Sequence, residues 1–134
     1  MKKILSTFLL VSATLFLYTA CKKNDETAAP ATPPTVSMTS PVENDQMLGG
    51  QLLKIKGQIS DAAGLHTLSV KITDDKTGAI LFQSTPTVLD MKTYTLDASW
   101  TVKVNDWTDA TMTVTAANHA AMQTVKTVKF KMWL

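Results

Sequence analysis

Residues Tyr94 to Val104 alternate strictly between apolar and polar side chains, and this run limits the fold more than any other feature of the chain. Every even-numbered position is apolar, ending with Trp100, Val102 and Val104, and every odd-numbered position is polar. Successive side chains of a β-strand point to opposite faces, so a period of two separates a buried face from a solvated one. The run therefore predicts a strand with one face in a hydrophobic core.

The same period recurs along the chain from Thr35 onward, where no helical stripe is found. Gly57 falls on an inward position, where glycine is typical of a bulge or of close packing. Turn residues at 74–78 and 118–121 separate the alternating runs. About seven short strands in roughly 100 residues predict an all-β, antiparallel sandwich of immunoglobulin type. The side chains expected to face inward are Val36, Met38, Leu53, Ile55, Ile59, His66, Leu68, Val70, Ile72, Met112, Val114, Ala116, Val128, Phe130 and Met132, with an apolar edge at 80–82.

Short segments at both ends of this region resemble bacterial immunoglobulin-like domains. The resemblance covers most of residues 35–134 and implies the sandwich fold. It supplies no catalytic residues, and function depends on sites grafted onto a fold. Such domains occur singly on Bacteroidota lipoproteins and in tandem on adhesins. The segments are Pro34-Thr35-Val36, Ser40-Pro41, Gly57 to Asp61 and Gly64-Leu65 in the first half, and Thr113 to Asn118 and Thr127 to Phe130 in the closing hairpin.

Residues 1–20 have the composition of a secretory signal peptide. Lys2 and Lys3 precede a mainly apolar run that is slightly shorter than the roughly 20 residues of a spanning helix. Its end, Leu17-Tyr18-Thr19-Ala20-Cys21, resembles the lipobox of bacterial lipoproteins, which prefers Leu, Val or Ile where Tyr18 stands. The resemblance implies a signal helix, cleavage before Cys21, and attachment of diacylglycerol and further acyl chains such as palmitate. A plain secretory signal and an uncleaved membrane anchor are the alternatives.

Residues 21–34 form a predicted linker. The segment Lys22 to Glu26 loosely resembles the surface-export signal of Bacteroidota lipoproteins. Three prolines between Thr27 and Pro34 favour extended polyproline geometry. At about 3.1 Å per residue, the linker would reach roughly 40 Å when fully extended. We therefore expect a lipid-anchored outer-membrane protein displayed on the cell surface, with the periplasmic face as the alternative.

Charge and cysteine content exclude several functional classes. The chain has 13 basic residues, all of them lysine, against 11 acidic residues. Cleavage before Cys21 would remove Lys2 and Lys3 and leave 11 of each sign. A formally neutral domain without arginine offers neither a basic surface nor a bidentate guanidinium, so we expect no nucleic-acid partner. A lone cysteine excludes an intrachain disulfide and multi-cysteine metal sites.

The chain carries no signature of catalysis, and we expect it not to be an enzyme. No serine lies in a nucleophile-elbow sequence. A zinc site would require the two histidines, His66 and His119, to be adjacent with a carboxylate such as Asp61. Calcium would require six to eight converging oxygens, whereas acidic turns such as the one containing Asp74 and Asp75 form without metal. We expect no metal and no cofactor besides the covalent lipid.

The tryptophans are the best candidates for contact with a ligand. Trp100 is expected to anchor the core, and Trp133 to cap one end of the sandwich. Trp107 lies in a polar loop with Asp106 and Asp109, where it would either contact a protein or glycan or fold back over the core edge. The sequence thus predicts a lipid-anchored envelope protein that displays an immunoglobulin-like binding or accessory module for a protein partner. A glycan-binding accessory lipoprotein and a structural spacer without a specific ligand are the alternatives.

Overall fold

The computed structural model describes residues 31–134. The predicted signal peptide (1–20), the predicted lipidation site at Cys21 and the predicted linker up to residue 30 lie outside the described residues. Within residues 31–134, no helix is long and apolar enough to cross a membrane. The eight strands are β1 (Thr35–Ser40), β2 (Gln46–Leu48), β3 (Leu52–Ser60), β4 (Leu65–Asp74), β5 (Ile80–Ser84), β6 (Thr93–Thr101), β7 (Thr108–Asn118) and β8 (Gln123–Trp133).

These strands form two sheets. β1, β3 and β6 make a three-stranded sheet in the order β1-β3-β6, and the other five strands follow the order β2-β8-β7-β4-β5. Neighbours are antiparallel except for β2, which pairs parallel with β8. The predicted immunoglobulin-like sandwich is therefore confirmed, with eight strands instead of about seven. The additional strand is β2, whose three residues are too few to display a period of two.

The hydrophobic core lies between the sheets and is built mainly from side chains that the alternation predicts, together with Leu65, Val88 and Ala110, which it does not predict. Phe130 is the largest fully buried one. Complete burial of a large aliphatic or aromatic side chain contributes about 1.5–3 kcal/mol, so this core is the main source of stability. The buried apolar residues on predicted inward positions are Leu53, Ile55, Ile59, Leu68, Val70, Ile72, Leu96, Val102, Met112, Val114, Ala116, Val128, Phe130 and Met132.

Gly57 faces inward as predicted, and close packing accounts for it. A Cβ built at this position would lie 2.6 Å from both Met38 Sδ and the carbonyl oxygen of Ser37. The register of β3 with β6 passes through Gly57 without a shift. The register of β1 with β3 shifts between Met38 and Ser40, directly beside the Met38–Gly57 pair, so an irregularity on β1 accompanies the close packing. Glycine is needed here because β1 approaches the backbone of β3 too closely for a side chain.

The prediction that His66 faces the core is wrong. The register of β4 with β7 shifts between Leu65 and Thr67, so that one extra residue lies on β4. Such a bulge breaks the strict alternation of faces. Leu65 is consequently buried, while His66 and Thr67 are both exposed.

Trp100 lies on the inward side of β6 but is not the main core residue. It is partly buried, and its ring centroid lies 6.3 Å from that of Phe82 at the edge of the core. The fully buried aromatic side chain of the core is that of Phe130. β6 ends at Thr101, although the alternation continues beyond the strand with a buried Val102 and a partly buried Val104.

Candidate functional site

Trp107 lies between β6 and β7, and its indole ring stacks on that of Trp133 at the end of β8. The two ring centroids are 5.3 Å apart and the ring planes are inclined by only 10°. Trp107 is 55% exposed, whereas Trp133 is partly buried. The ring of Trp107 thus rests on a second tryptophan, and about half of its surface still faces solvent. This arrangement lies between the two predicted alternatives, a free contact residue and a residue folded over the core edge.

Asp106 holds the backbone that precedes β7. Its Oδ1 accepts a hydrogen bond of 2.7 Å from the backbone N–H of Trp107. Its carbonyl oxygen accepts a second bond, of 3.1 Å, from the hydroxyl of Thr108. These bonds make a tight local turn that orients Trp107. The structure therefore gives Asp106 a positioning role beside the ring.

Asp109 forms an ion pair next to the stacked tryptophans. It lies directly opposite Lys131 in the β7–β8 pairing, and the Lys131 ammonium donates to Asp109 Oδ1 at 2.8 Å. The same Lys131 Nζ lies 5.5 Å from the centroid of the Trp107 ring, within cation–π range. Because both charged side chains are about half exposed, the pair contributes at most about 1 kcal/mol. Its main effect is to fix a positive and a negative group beside an exposed ring.

A polar cavity of about 340 Å³ adjoins this ion pair. Carboxylates outnumber ammonium groups around it by three to two, and such a lining suits ligands rich in hydrogen-bond donors. The Glu43 carboxylate is held in place by the backbone N–H of Lys129, which donates to Oε2 at 3.0 Å. The polar side chains that line the cavity are those of Glu43, Asn44, Asp75, Asp109, Lys129 and Lys131.

Leu48 extends the apolar part of the same surface. The β2–β8 pairing places it beside Trp133, so both side chains lie on the outer face of the five-stranded sheet. Leu48 is 42% exposed. We refer to Leu48, Trp107, Asp109, Lys131 and Trp133 together as the tryptophan end of the sandwich.

The chain enters the sandwich at the opposite end. There, the buried Asn118 side chain donates through Nδ2 to the carbonyl oxygen of Thr32 at 2.8 Å and to Asp61 Oδ2 at 3.0 Å. Thr124 Oγ1 donates to the carbonyl oxygen of Pro34. We call Thr32, Pro34, Asp61, Asn118 and Thr124 the tether end. β8 runs from the tether end to the tryptophan end, and its eleven residues span about 35 Å.

The structure brings Trp107, Asp106 and Asp109 together, as their closeness in sequence implies. The interpretation of the sequence missed Lys131, and it assigned Trp133 only the role of a cap. Both come from β8 and meet the loop because of the β7–β8 register, which pairs Thr108 with Met132. Pairing the residues of β7 and β8 outward from the 118–121 turn would have placed Lys131 and Trp133 beside this loop.

The acidic turns use their carboxylates for backbone hydrogen bonds. Asp61 Oδ1 accepts from the N–H of Ala63 at 2.8 Å, and its other oxygen accepts from Asn118. Asp74 Oδ1 accepts from the N–H groups of Lys76 and Thr77 at 2.7 and 3.2 Å. In residues 31–134 no group of three or more His, Cys, Asp and Glu side chains is arranged to hold a metal ion.

We expect the pKa of Asp74 to lie below its ordinary value of 3.8, chiefly because the Thr77 hydroxyl donates to the ionised carboxylate and the N–H of Lys76 adds a second bond. A lowered pKa in the folded state means that ionised Asp74 stabilises the fold at neutral pH. This contribution is lost as the pH falls below 3.8 through the lowered value. An NMR titration of the Asp74 carboxyl carbon measures this pKa. In Thr77→Val the pKa should rise toward 3.8, and an unchanged value would contradict this cause.

Comparison with known proteins finds only distant structural likenesses. No family model and no curated protein matches the chain. Among solved structures, the chain is similar to fibronectin(III)-like modules of Clostridium thermocellum CbhA, with 18% identity and a TM-score of 0.47. The match covers 76% of this chain and 46% of that one, so the chain spans less than half of the CbhA structure.

Two further structures show a similar likeness. CopC from Methylosinus trichosporium OB3b is 15% identical with a TM-score of 0.45, over 73% of this chain and 93% of that one. The CARDB domain of the PF1109 protein from Pyrococcus furiosus was solved in complex with di-metal ions. It is 12% identical with a TM-score of 0.44, over 78% of this chain and 96% of that one. At these identities and TM-scores, neither a family nor a function follows from the likeness.

Proposed function

We propose that this chain is a lipid-anchored envelope protein of Bacteroidota type, displayed on the outer membrane, whose sandwich presents the tryptophan end to a protein partner. One observation carries the proposal: the exposed Trp107–Trp133 stack lies at the end of the sandwich opposite the tether end. A chain held at the membrane through Cys21 would therefore direct this aromatic surface outward. The role is binding and display, without catalysis and without a nucleic-acid partner.

The sequence supports the anchor. Cys21 follows an apolar run and a small residue, in the pattern that lipoprotein-processing enzymes use, and it is the only thiol. Acyl chains on a cysteine contribute about 0.8 kcal/mol per buried methylene, and two or more chains give durable anchoring where one chain is marginal. Because Thr32 is bonded to the sandwich, the free linker comprises the ten residues between Cys21 and Thr32. At about 3.1 Å per residue it would hold the sandwich, itself about 35 Å long, up to about 30 Å from the membrane surface.

Composition of the tryptophan end favours a protein partner. Tryptophan is enriched among residues that dominate binding energy at protein interfaces, and these residues cluster where a polar rim excludes water. Here Trp107, which stacks on Trp133, and Leu48, which pairs with Trp133, are 55% and 42% exposed, and the Asp109–Lys131 pair forms a charged border. A partner with an apolar contact and complementary charges at its rim fits this surface.

A specific observation favours a glycan as the second candidate. The polar cavity of about 340 Å³ shares Asp109 and Lys131 with the tryptophan end. Sugar hydroxyls donate to carboxylates while the apolar face of a sugar packs against an indole ring. A ligand lying across the ring of Trp107 and into this cavity would use both groups. A spacer without any ligand is the third candidate, and this role does not require an exposed indole ring.

Photo-crosslinking in intact cells tests the proposal. A photo-reactive residue in place of Leu48 should link the displayed chain to one envelope protein. Trp107→Ala should weaken that contact by about thirtyfold or more, because truncation of an interface tryptophan typically costs at least about 2 kcal/mol. Leu89→Ala is the matched control, since Leu89 is 54% exposed but lies outside the tryptophan end.

The outcomes separate the three candidates. Crosslinking that is lost in Trp107→Ala and kept in Leu89→Ala supports the protein partner. Absence of a crosslink together with glycan-array binding that requires Trp107 supports the glycan. Absence of both contradicts a binding role for this surface and leaves the spacer.

A further inference from the structure

The two histidines of the chain come together although 52 residues separate them in sequence. His66 occupies the bulge in β4, and His119 lies in the turn between β7 and β8. Their ring centroids are 4.9 Å apart, with the rings inclined by 54°. The contact forms where the bulge in β4 meets the start of the β7–β8 turn, since Leu65 pairs with Asn118, the residue directly before His119.

Asp90 fixes the orientation of one of the two rings. The Nε2 of His119 lies 2.8 Å from Asp90 Oδ1, so the ring donates its Nε2–H to the carboxylate. The loop that carries Asp90 is itself tied to β4, since the Asp90 N–H donates to the carbonyl oxygen of Leu65 at 2.9 Å. A neutral imidazole that donates from Nε2 keeps a free lone pair on Nδ1. The carboxylate therefore selects the tautomer whose Nδ1 can act as a ligand.

We propose that His66 and His119 together bind one divalent transition-metal ion of the class that imidazole nitrogen prefers, Zn²⁺, Cu²⁺ or Ni²⁺. With metal–nitrogen distances of about 2.1 Å, two imidazoles on one ion have their ring centres roughly 5 Å apart, and the pair already has this spacing. Asp90 acts as the outer carboxylate that orients a ligating histidine. This proposal revises the expectation of a metal-free domain.

The site is an open one. Within residues 31–134 no group of three or more His, Cys, Asp and Glu side chains is arranged to hold a metal ion, so the proposed site would have the two imidazoles as its protein ligands and water at the remaining positions. Both histidines and Asp90 are exposed, so an ion reaches the site without a conformational change. The hard ions Mg²⁺ and Ca²⁺ prefer a shell of six or more oxygen ligands, whereas the Asp90 carboxylate beside this pair is already bonded to His119.

Calorimetric titration of the full chain with Zn²⁺ or Ni²⁺ alone tests the proposal. All samples carry Cys21→Ala, which removes the only thiol. We expect one ion per chain, with the NMR signals of both imidazoles shifted by Zn²⁺. His66→Ala and His119→Ala should each weaken binding at least tenfold, and Asp90→Asn about tenfold, as for other outer carboxylates. Asp97→Asn, an exposed carboxylate on the other sheet, should leave binding unchanged.

Two results would overturn the proposal. One is the absence of Zn²⁺ and Ni²⁺ binding by the full chain. The other is binding that persists equally in the His66→Ala/His119→Ala double variant, which would locate the ion elsewhere. All three substituted side chains are exposed, and a circular-dichroism melt of each variant verifies that the sandwich is intact.

Discussion

Asn118→Ala is expected to lower the free energy of unfolding by about 2–4 kcal/mol, the largest stability effect of any single polar substitution proposed for this domain. Asn118 is only 1% exposed, and its side chain closes the β7–β8 turn and holds the incoming chain at once. Oδ1 accepts from the N–H groups of Ala120 and Met122, each at 3.0 Å. Nδ2 donates to Thr32 and Asp61. Removing the amide leaves the nearly buried Asp61 without this donor.

Urea denaturation followed by tryptophan fluorescence measures this effect. Asn118→Asp provides the sharper variant, because it preserves the shape and the Oδ1 acceptor but places a second carboxylate 3.0 Å from Asp61 Oδ2. It should destabilise the domain as well, through repulsion of like charges. Asn105→Ala, in the exposed loop between β6 and β7, should stay within about 0.5 kcal/mol of the parent chain. An Asn118→Ala midpoint equal to that of Asn105→Ala would contradict the bridging role of Asn118.

Cys21→Ala is expected to move the protein out of the membrane fraction or to leave the signal peptide uncleaved. The physical reason is the loss of the acyl chains, since each buried methylene contributes about 0.8 kcal/mol of membrane affinity. Fractionation of cells by ultracentrifugation, with immunoblotting, measures the distribution. Thr27→Ala in the linker serves as the control and should leave the protein in the membrane. A cleaved Cys21→Ala protein that stays tightly in the membrane would contradict the lipid anchor.

The strands with strong alternation could be predicted from sequence because one of their faces is buried. β3, β6, β7 and β8 each place apolar and polar residues on alternate positions, and the pattern reports burial directly. β2 could not be predicted because it has only three residues and depends on its parallel pairing with β8. His66 was assigned to the wrong face because a bulge adds one residue and reverses the alternation locally.

The candidate site could be predicted only where its residues are neighbours in sequence. Asp106, Trp107 and Asp109 form one local cluster, which sequence patterns reveal. Trp133 and Lys131 reach that cluster through strand register, and register is set by tertiary packing. The contact between the two histidines could not be predicted either, because it depends on a bulge in β4 and on the turn that follows β7.

We propose that Cys21 carries the lipid from which the sandwich and its tryptophan end are displayed. Mass spectrometry of the N-terminal peptide, from the protein isolated out of outer membranes, tests this most directly. We expect a peptide that begins at Cys21 and carries the mass of a diacylglycerol thioether, with or without a further acyl chain. A peptide that begins at Met1, or one that contains Cys21 with a free thiol, would contradict it.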